Sequence, residues 1–258
     1  MTTQKLKAEV FRDLHVKGNP LILFNIWDAG GAKVIEEAGA KAIATGSWSV
    51  AAANGFADGQ ELPFELAMEN LERIVRSVEL PVSLDFECGY ATDNSDLKEN
   101  IKRVIEAGAV GINFEDRIIG GDGLYSIEQQ SSRIAAIREA GNETGIPIFI
   151  NARTDVFLKT YPAQHNEEEL GEAIRRAVAY AEAGASGVFA PGLRDPALIE
   201  ELCSASALPV NIMVLPDTPT AGELAKLGVA RISHGPGPYR AMTKALKEAG
   251  EKVFTEII

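Results

Sequence analysis

Residues 106–116 read EAGAVGINFED, and this stretch decides the fold. A charged helical run reaches Gly108, where a left-handed helix C-cap would sit. A short apolar run follows at once and ends on Glu115 and Asp116. A helix end feeding directly into a short buried strand is the repeating step of a parallel sheet. The step recurs along the chain. EEAGA at 36–40 precedes KAIATG, EAGA at 182–185 precedes SGVFAP, and KLGV at 226–229 precedes ARISHG.

Working outward from these repeats predicts eight buried strands: Leu21–Trp27, Ala42–Gly46, Pro81–Glu87, Gly111–Asp116, Pro147–Arg153, Gly187–Gly192, Pro209–Leu215 and Ala230–Gly235. Amphipathic helical patterns separate them. One is Glu167–Ala183, with Leu170, Ile174 and Val178 on one face. Leu6, Val10 and Leu14 mark one more helix ahead of the first strand. Eight units in 258 residues is roughly 32 residues per unit, the size expected of a (β/α)8 barrel. The predicted class is therefore α/β, a (β/α)8 TIM barrel with an extra N-terminal helix, forming one domain over 1–258. A doubly wound sheet is the rival. Its dinucleotide turn is missing, because the first strand runs into NIWDAGG rather than G-x-G-x-x-G.

The chain carries 25 Lys plus Arg against 37 Asp plus Glu, a net charge of −12. That balance argues against nucleic-acid partners and against a polybasic membrane patch. Two cysteines, Cys88 and Cys203, form no disulfide framework and no C-x-x-C zinc pattern. The first residues, MTTQKLKAEVFRDL, lack an apolar signal core, and no apolar run approaches 18 residues. A cytoplasmic location is expected.

A barrel of this kind places its chemistry at the C-terminal ends of the strands. Those ends carry Asn25, Trp27 and Asp28, then Gly46, Ser47 and Trp48, then Asp85 and Glu87, then Glu115 and Asp116. Arg153 and Asp155 follow, then Asn211, then Ser233 and His234. Asp85 and Glu87 are two apart on a strand and share a face, with Glu115 at matching height on the next strand. Carboxylates converging there repel unless a cation sits between them. Oxygen donors without thiolates favour Mg2+, with Mn2+ equally acceptable, over zinc. The alternative is that these acids are salt-bridged or cap helices. Arg153 would balance developing negative charge, or else pair structurally with Asp155 or Glu115. The Gly46–Ser47 turn offers backbone N–H groups and a hydroxyl to a carboxylate.

Together the stretches ATGSWSVAAANGFADG, SLDFECGY, GINFED and INARTD resemble the isocitrate lyase/phosphoenolpyruvate mutase superfamily, and the similarity runs from about Leu21 to about Arg240. The resemblance implies a (β/α)8 barrel, oligomeric as a dimer or tetramer, often with the last helix exchanged between subunits. It implies Mg2+ and a small 2-oxo acid or related carboxylate in the mouth. On it, Asp85 is the direct metal ligand, and Glu87 and Glu115 hold metal-bound waters. Asp58 is the acid beside the metal, and Gly46, Ser47 and Trp48 receive the substrate carboxylate. Arg153 stabilises the reacting end, while Asn211 and His234 sit at substrate-contact positions. The implied activity is cleavage or formation of a C–C (or P–C) bond of a 2-oxo acid through a metal-stabilised enolate. The alternatives are a phosphonopyruvate or phosphoenolpyruvate mutase or hydrolase, and an inactive barrel that binds the acid.

The chain departs from that pattern in two places. The superfamily's isocitrate-type lyases carry a K-[KR]-C-G-H loop after the fourth strand. Here the loop is DRIIGGDGLYS, which also lacks the longer lysine- and asparagine-bearing loop of the mutases. Strand six reads GVFAPG, without those lyases' glutamate. Strand alternation points Cys88 behind the barrel, away from Glu87. Cys203 has no assigned role. His15 and His165 are expected to face solvent. No strand ends in lysine, which disfavours a Schiff-base aldolase. Prolines in SHGPGP disfavour a phosphate cradle.

Overall fold

The computed structural model describes residues 3–118 and 120–255. Helix α1 (Thr3–Asp13) leads into strand β1 (Leu21–Leu23), followed by α2 (Ala29–Glu37), β2 (Ile43–Ala44), α3 (Ser47–Ala53) and α4 (Phe64–Ser77). Next come β3 (Val82–Asp85), α5 (Asn94–Glu106), β4 (Gly111–Glu115), α6 (Ile127–Thr144) and β5 (Phe149–Arg153). The chain ends with α7 (Glu167–Glu182), β6 (Gly187–Phe189), α8 (Pro196–Ala205), β7 (Val210–Met213), α9 (Ala221–Lys226), β8 (Arg231–Ser233) and α10 (Gly237–Thr255).

The strands pair in parallel in the order β1-β8-β7-β6-β5-β4-β3-β2, a nearly closed (β/α)8 barrel with the extra N-terminal helix in place. The seam between β1 and β2 is bridged at its upper end. Ile26 N donates to Ala44 O and Gly46 N to Ile26 O. Local chemistry sets the helix starts. Asp28 accepts from Gly31 N, Asp93 from Ser95 N and Asp96 N, and Ser126 with Gln129 forms a reciprocal capping box. The core between strands and helices is built from residues such as Leu23, Ile43, Leu84, Ile112, Phe114 and Ile150.

Helix α1 is present as expected, with Ala8 and Phe11 as its buried residues and Leu6 and Val10 exposed. Two expectations from the sequence are corrected. On α7 Leu170 is buried as expected, but Val178 is exposed, and Ala173, Ala177 and Tyr180 complete the inner face. His15 does not face solvent. It is buried, stacks on Phe149 at 4.0 Å, and its Nδ1 lies 2.7 Å from Phe11 O. Burial and the nearby Arg231 push its pKa down to about 3. His165 is half-buried, edge-on to Phe157.

Helix α10 has Pro238 as its buried residue and leaves Leu246, Val253 and Phe254 exposed. A groove of about 730 Å³ runs along the barrel exterior, lined by residues including Leu14, Pro20, Ile22, Phe24, Ile35 and Ala40. No helix among the described residues is long and apolar enough to cross a membrane.

Candidate active site

The register Asp85↔Asn113 and Glu115↔Arg153 brings the ends of β3, β4 and β5 to one side of the mouth. Across from them, β2 turns through Gly46 into α3. A cavity of about 190 Å³ lies between, with Ser47, Asp58, Asp85 and Arg153 in its wall. Leu158, Phe189 and Met213 line it as well and supply apolar side chains. Gly46 and Trp48 are in the wall, and Trp48 packs edge-on to Tyr239 with Arg240 over its ring.

Ser47 was expected to face a ligand, but both its donors are engaged with acids. Its N–H donates to Asp85 Oδ2 at 2.8 Å, and its hydroxyl bonds Asp58. Asn113 Nδ2 approaches Asp85 Oδ1 at 3.4 Å. Arg153 is clamped by two carboxylates. Its Nη1 is 2.8 Å from Glu115 Oε2, while Nε and Nη2 reach Asp155 at 2.6 and 2.9 Å. Both structural pairings weighed for Arg153 are thus present, and the guanidinium still lines the cavity. These partners hold its pKa well above the usual arginine value.

The turn after β3 abandons strand geometry. Glu87, Gly89 and Tyr90 all have positive φ, at 48°, 86° and 53°. A left-handed non-glycine residue is strained and must be held by its surroundings. Here Arg133 Nη1 donates to Thr92 O, and its Nη2 to Cys88 O and Ala91 O, while Asn100 Nδ2 donates to Gly89 O and Tyr90 O. The Glu87 carboxylate is received by Gln60 N and the Tyr90 hydroxyl. The left-handed twist also defeats strand alternation, so Cys88 is not behind the barrel. Its thiol lies 3.5 Å from Glu115 Oε1 and 3.2 Å from Arg117 O. It lines a separate cavity of about 240 Å³ together with Asp58, Glu115 and Arg117. Burial beside those acids pushes the thiol pKa up, which keeps it protonated.

The acids perturb one another. Burial, then the charges of Asp85, Asp58 and Glu115, push the Glu87 pKa up to about 8. Burial and Asp85 raise Asp58. Burial raises Glu115 against the pull of Arg153. Even so, Asp85, Glu87 and Glu115 do not converge as one ligand set. Among the described residues no three His, Cys, Asp or Glu side chains sit close enough together to hold an ion directly. Glu87 is turned toward Gln60, and Glu115 is held on Arg153. The donors facing the site are carboxylate oxygens whose mutual repulsion a divalent cation would relieve, and that chemistry fits Mg2+ or Mn2+. It fits with Asp85 as the direct ligand and the two glutamates acting through water.

Two expected contacts lie elsewhere. Asn211 is buried in the barrel interior, its Oδ1 accepting from the Ser233 hydroxyl, outside the cavity wall. His234 is also outside that wall, with its ring 5.3 Å from Phe24. Sequence reasoning missed Arg133, Asn100 and the apolar trio Leu158, Phe189 and Met213. It also missed Arg231, which is fully buried on β8 and donates to Asn113 Oδ1 at 3.0 Å. Burial lowers the Arg231 pKa to about 9, and its Nη1 has no partner among the described residues. An arginine heading the apolar run ARIS was the readable signal.

A family profile described as phosphoenolpyruvate phosphomutase matches residues 11–254. The crystal structure of a Burkholderia cenocepacia J2315 protein, provisionally described as a phosphonomutase, overlays with a TM-score of 0.94 at 51% identity, covering 96% of this chain and 99% of that one. The 2-methylisocitrate lyase of Escherichia coli K12 is 29% identical over 250 residues, covering 92% of this chain and 81% of the lyase. A phosphonopyruvate hydrolase solved with oxalate and Mg2+ overlays with a TM-score of 0.84 at 22% identity, covering 97% of this chain and 87% of that one, a likeness of fold.

Proposed function

Because the chain belongs to the phosphoenolpyruvate phosphomutase family, we propose that it is an Mg2+-dependent lyase-type enzyme that cleaves or forms a C–C bond of a small 2-oxo acid. The observation that carries this reading is the small cavity in which Asp85 and Asp58 face Arg153. Bound there, Mg2+ would act as a Lewis acid toward the carboxylate and keto oxygens of the acid.

The chain's own residues supply the rest. Asp85 would hold the ion, with Glu87 and Glu115 fixing water beside it and Asp58 flanking it. With Asp85 and Asp58 engaged in that way, the Ser47 N–H and hydroxyl would hold the substrate carboxylate. Gly46 leaves the backbone open there, and Trp48 walls the same end. Arg153, immobilised by Glu115 and Asp155, presents its remaining N–H groups to negative charge developing at the keto oxygen. Fixed donors of this kind are worth on the order of a few kcal/mol each. Among the described residues the cavity wall contains no side chain of the loop after β4, and that loop's sequence, DRIIGGDGLYS, holds no cysteine or lysine that its closure could add.

The test is a panel of oxaloacetate, phosphonopyruvate, 2-methylisocitrate and isocitrate with Mg2+, read as pyruvate or glyoxylate release. Mn2+ binding is followed in parallel by electron paramagnetic resonance. Asp85→Ala should weaken Mn2+ binding at least tenfold and abolish release. Unchanged Mn2+ binding in the variant defeats the proposal. Silence on the whole panel, whose members all carry a second anionic group, and on a 2-oxo acid with an alkyl tail, with Mn2+ still bound, favours the binding protein without turnover.

We also propose a homo-oligomer, a dimer or tetramer, in which the exposed apolar residues of α10 are covered by another subunit. Sedimentation of the full chain tests it, a monomer at micromolar concentration being the contrary result.

A further inference from the structure

The cavity beside Asp85 is chemically lopsided. At the Gly46–Ser49 end it is polar, and the Ser49 hydroxyl is buried there without a partner among the described residues. Beyond Arg153 the wall becomes Leu158, Phe189 and Met213. Donors along the wall are largely spent. Asn25 is bonded to Thr45 O and Gly235 N, Asn113 faces Asp85, and the Ser233 hydroxyl donates to Asn211. Arg153 is the cation in this wall, and three of its five N–H groups already bond Glu115 and Asp155. With Mg2+ in place, Asp85 and Asp58 against the ion and one guanidinium leave a single positive charge, which the ligand's first carboxylate takes up, so none remains for a second anionic group. Arg117 lines the other cavity, on the far side of Asp58. Burying an unpaired anion against apolar side chains is strongly unfavourable, whereas an alkyl group there gains from burial.

Resting on the function proposed above, we infer that the ligand is a 2-oxo acid with one negative charge. Its single carboxylate lies at the Ser47–Ser49 end, and its C3 substituent is a short uncharged alkyl group packed on Leu158, Phe189 and Met213. Acids with a second carboxylate, phosphonate or sulfonate at C3 are the disfavoured class.

The experiment is calorimetric titration of the full chain in excess Mg2+ with two probes of matched size. One is 4,4-dimethyl-2-oxopentanoate and the other is 3-sulfopyruvate, which differ in the charge of the tail. Oxalate, which has no tail, is the control for the metal and carboxylate end. The expected result is at least tenfold tighter binding of the alkyl probe. Equal affinity, or tighter binding of the sulfonate, overturns the inference while oxalate binding upholds the parent reading. Failure of all three ligands, oxalate included, overturns both. Leu158 is partly exposed at the rim and tolerates a polar replacement, so Leu158→Lys adds a second arm. It should swing the affinity ratio at least tenfold toward the sulfonate with an unchanged melting temperature, and a ratio that does not move counts against the placement of the tail.

Discussion

The segments after β3 and β4 lie side by side at the barrel mouth and are held in opposite ways. Residues 87–92 bend through three left-handed positions, and the carbonyls of residues 88–92 all accept from the buried Arg133 and the half-buried Asn100. Residues 117–124 are held at the edges by a bridge between Arg117 and Leu124 and a bond from Ile118 N to Gly123 O. Of their three glycines, Gly120 and Gly123 stand in open space among the described residues, and Gly121 lies against Ile118. Tyr125 then anchors the end of the loop, its ring 4.7 Å from the same Arg133. A turn that aims ion-binding oxygens tolerates little variation, so it is fixed from behind. The neighbouring loop is free to change, and it is the stretch where this chain departs from the superfamily pattern.

The contrast can be broken most directly at Arg133. Arg133→Ala strands three carbonyls and opens a cavity beneath the turn. The expected loss is about 3 kcal/mol or more in denaturant unfolding. Arg117→Ala, at the exposed edge of the other segment, should stay within about 0.5 kcal/mol. Similar values for the two would end the distinction.

Glycine replacements sharpen it. Gly89→Ala forces a side chain into positive φ and into Leu97 Cδ1 and Phe114, which should destabilise by roughly 3 kcal/mol. Gly123→Ala has the same backbone strain with nothing near its new methyl, and should lose about 1 kcal/mol. The difference between their melting temperatures is the measurement.

A smaller effect concerns pH. Glu87 has its folded pKa raised from 4.5 to about 8, so the folded state holds a proton that the unfolded chain releases. Its contribution is therefore fully present below pH 4.5 and is lost as pH rises through 8. His15 works the other way. Its lowered folded pKa makes stability fall as pH drops below 6.5 toward 3, so above 6.5 it contributes no slope. Without metal, stability should decline by ~1 kcal/mol between pH 6.5 and 8. Glu87→Gln should flatten that decline, and an undiminished decline in the variant would assign it to other acids.

The barrel was legible because its signal is repeated: β2, β4, β6 and β8 each follow a glycine-ended helix, and the recurrence outweighs any one ambiguous boundary. The acids and Arg153 were legible because charged residues at the ends of apolar strands stand out. Cys88 was misread because period-two alternation holds only while the backbone stays extended, and the chain leaves that region at Glu87. The helix α1 was legible from Leu6 and Val10, although these larger apolar residues are exposed. Small Ala8 and flat Phe11 fit the barrel instead, where Gly111 leaves room for the Phe11 ring. Arg133 and Asn100 were invisible because a polar residue on a helix reads as solvated until the carbonyls it meets are known.

The bonds across the β1–β2 seam lie at the level of Ile26 and Gly46, one residue before Ser47. The thinnest join of the ring is therefore also the doorstep of the ligand. A ligand filling the cavity touches Asn25, beyond β1, on one margin of the sheet and Ser47, beyond β2, on the other, and would rivet the two together. Occupancy should then slow amide exchange along β1 and β2 more than along β6 and β7, so that the ligand serves the fold as a clasp as well as meeting the chemistry.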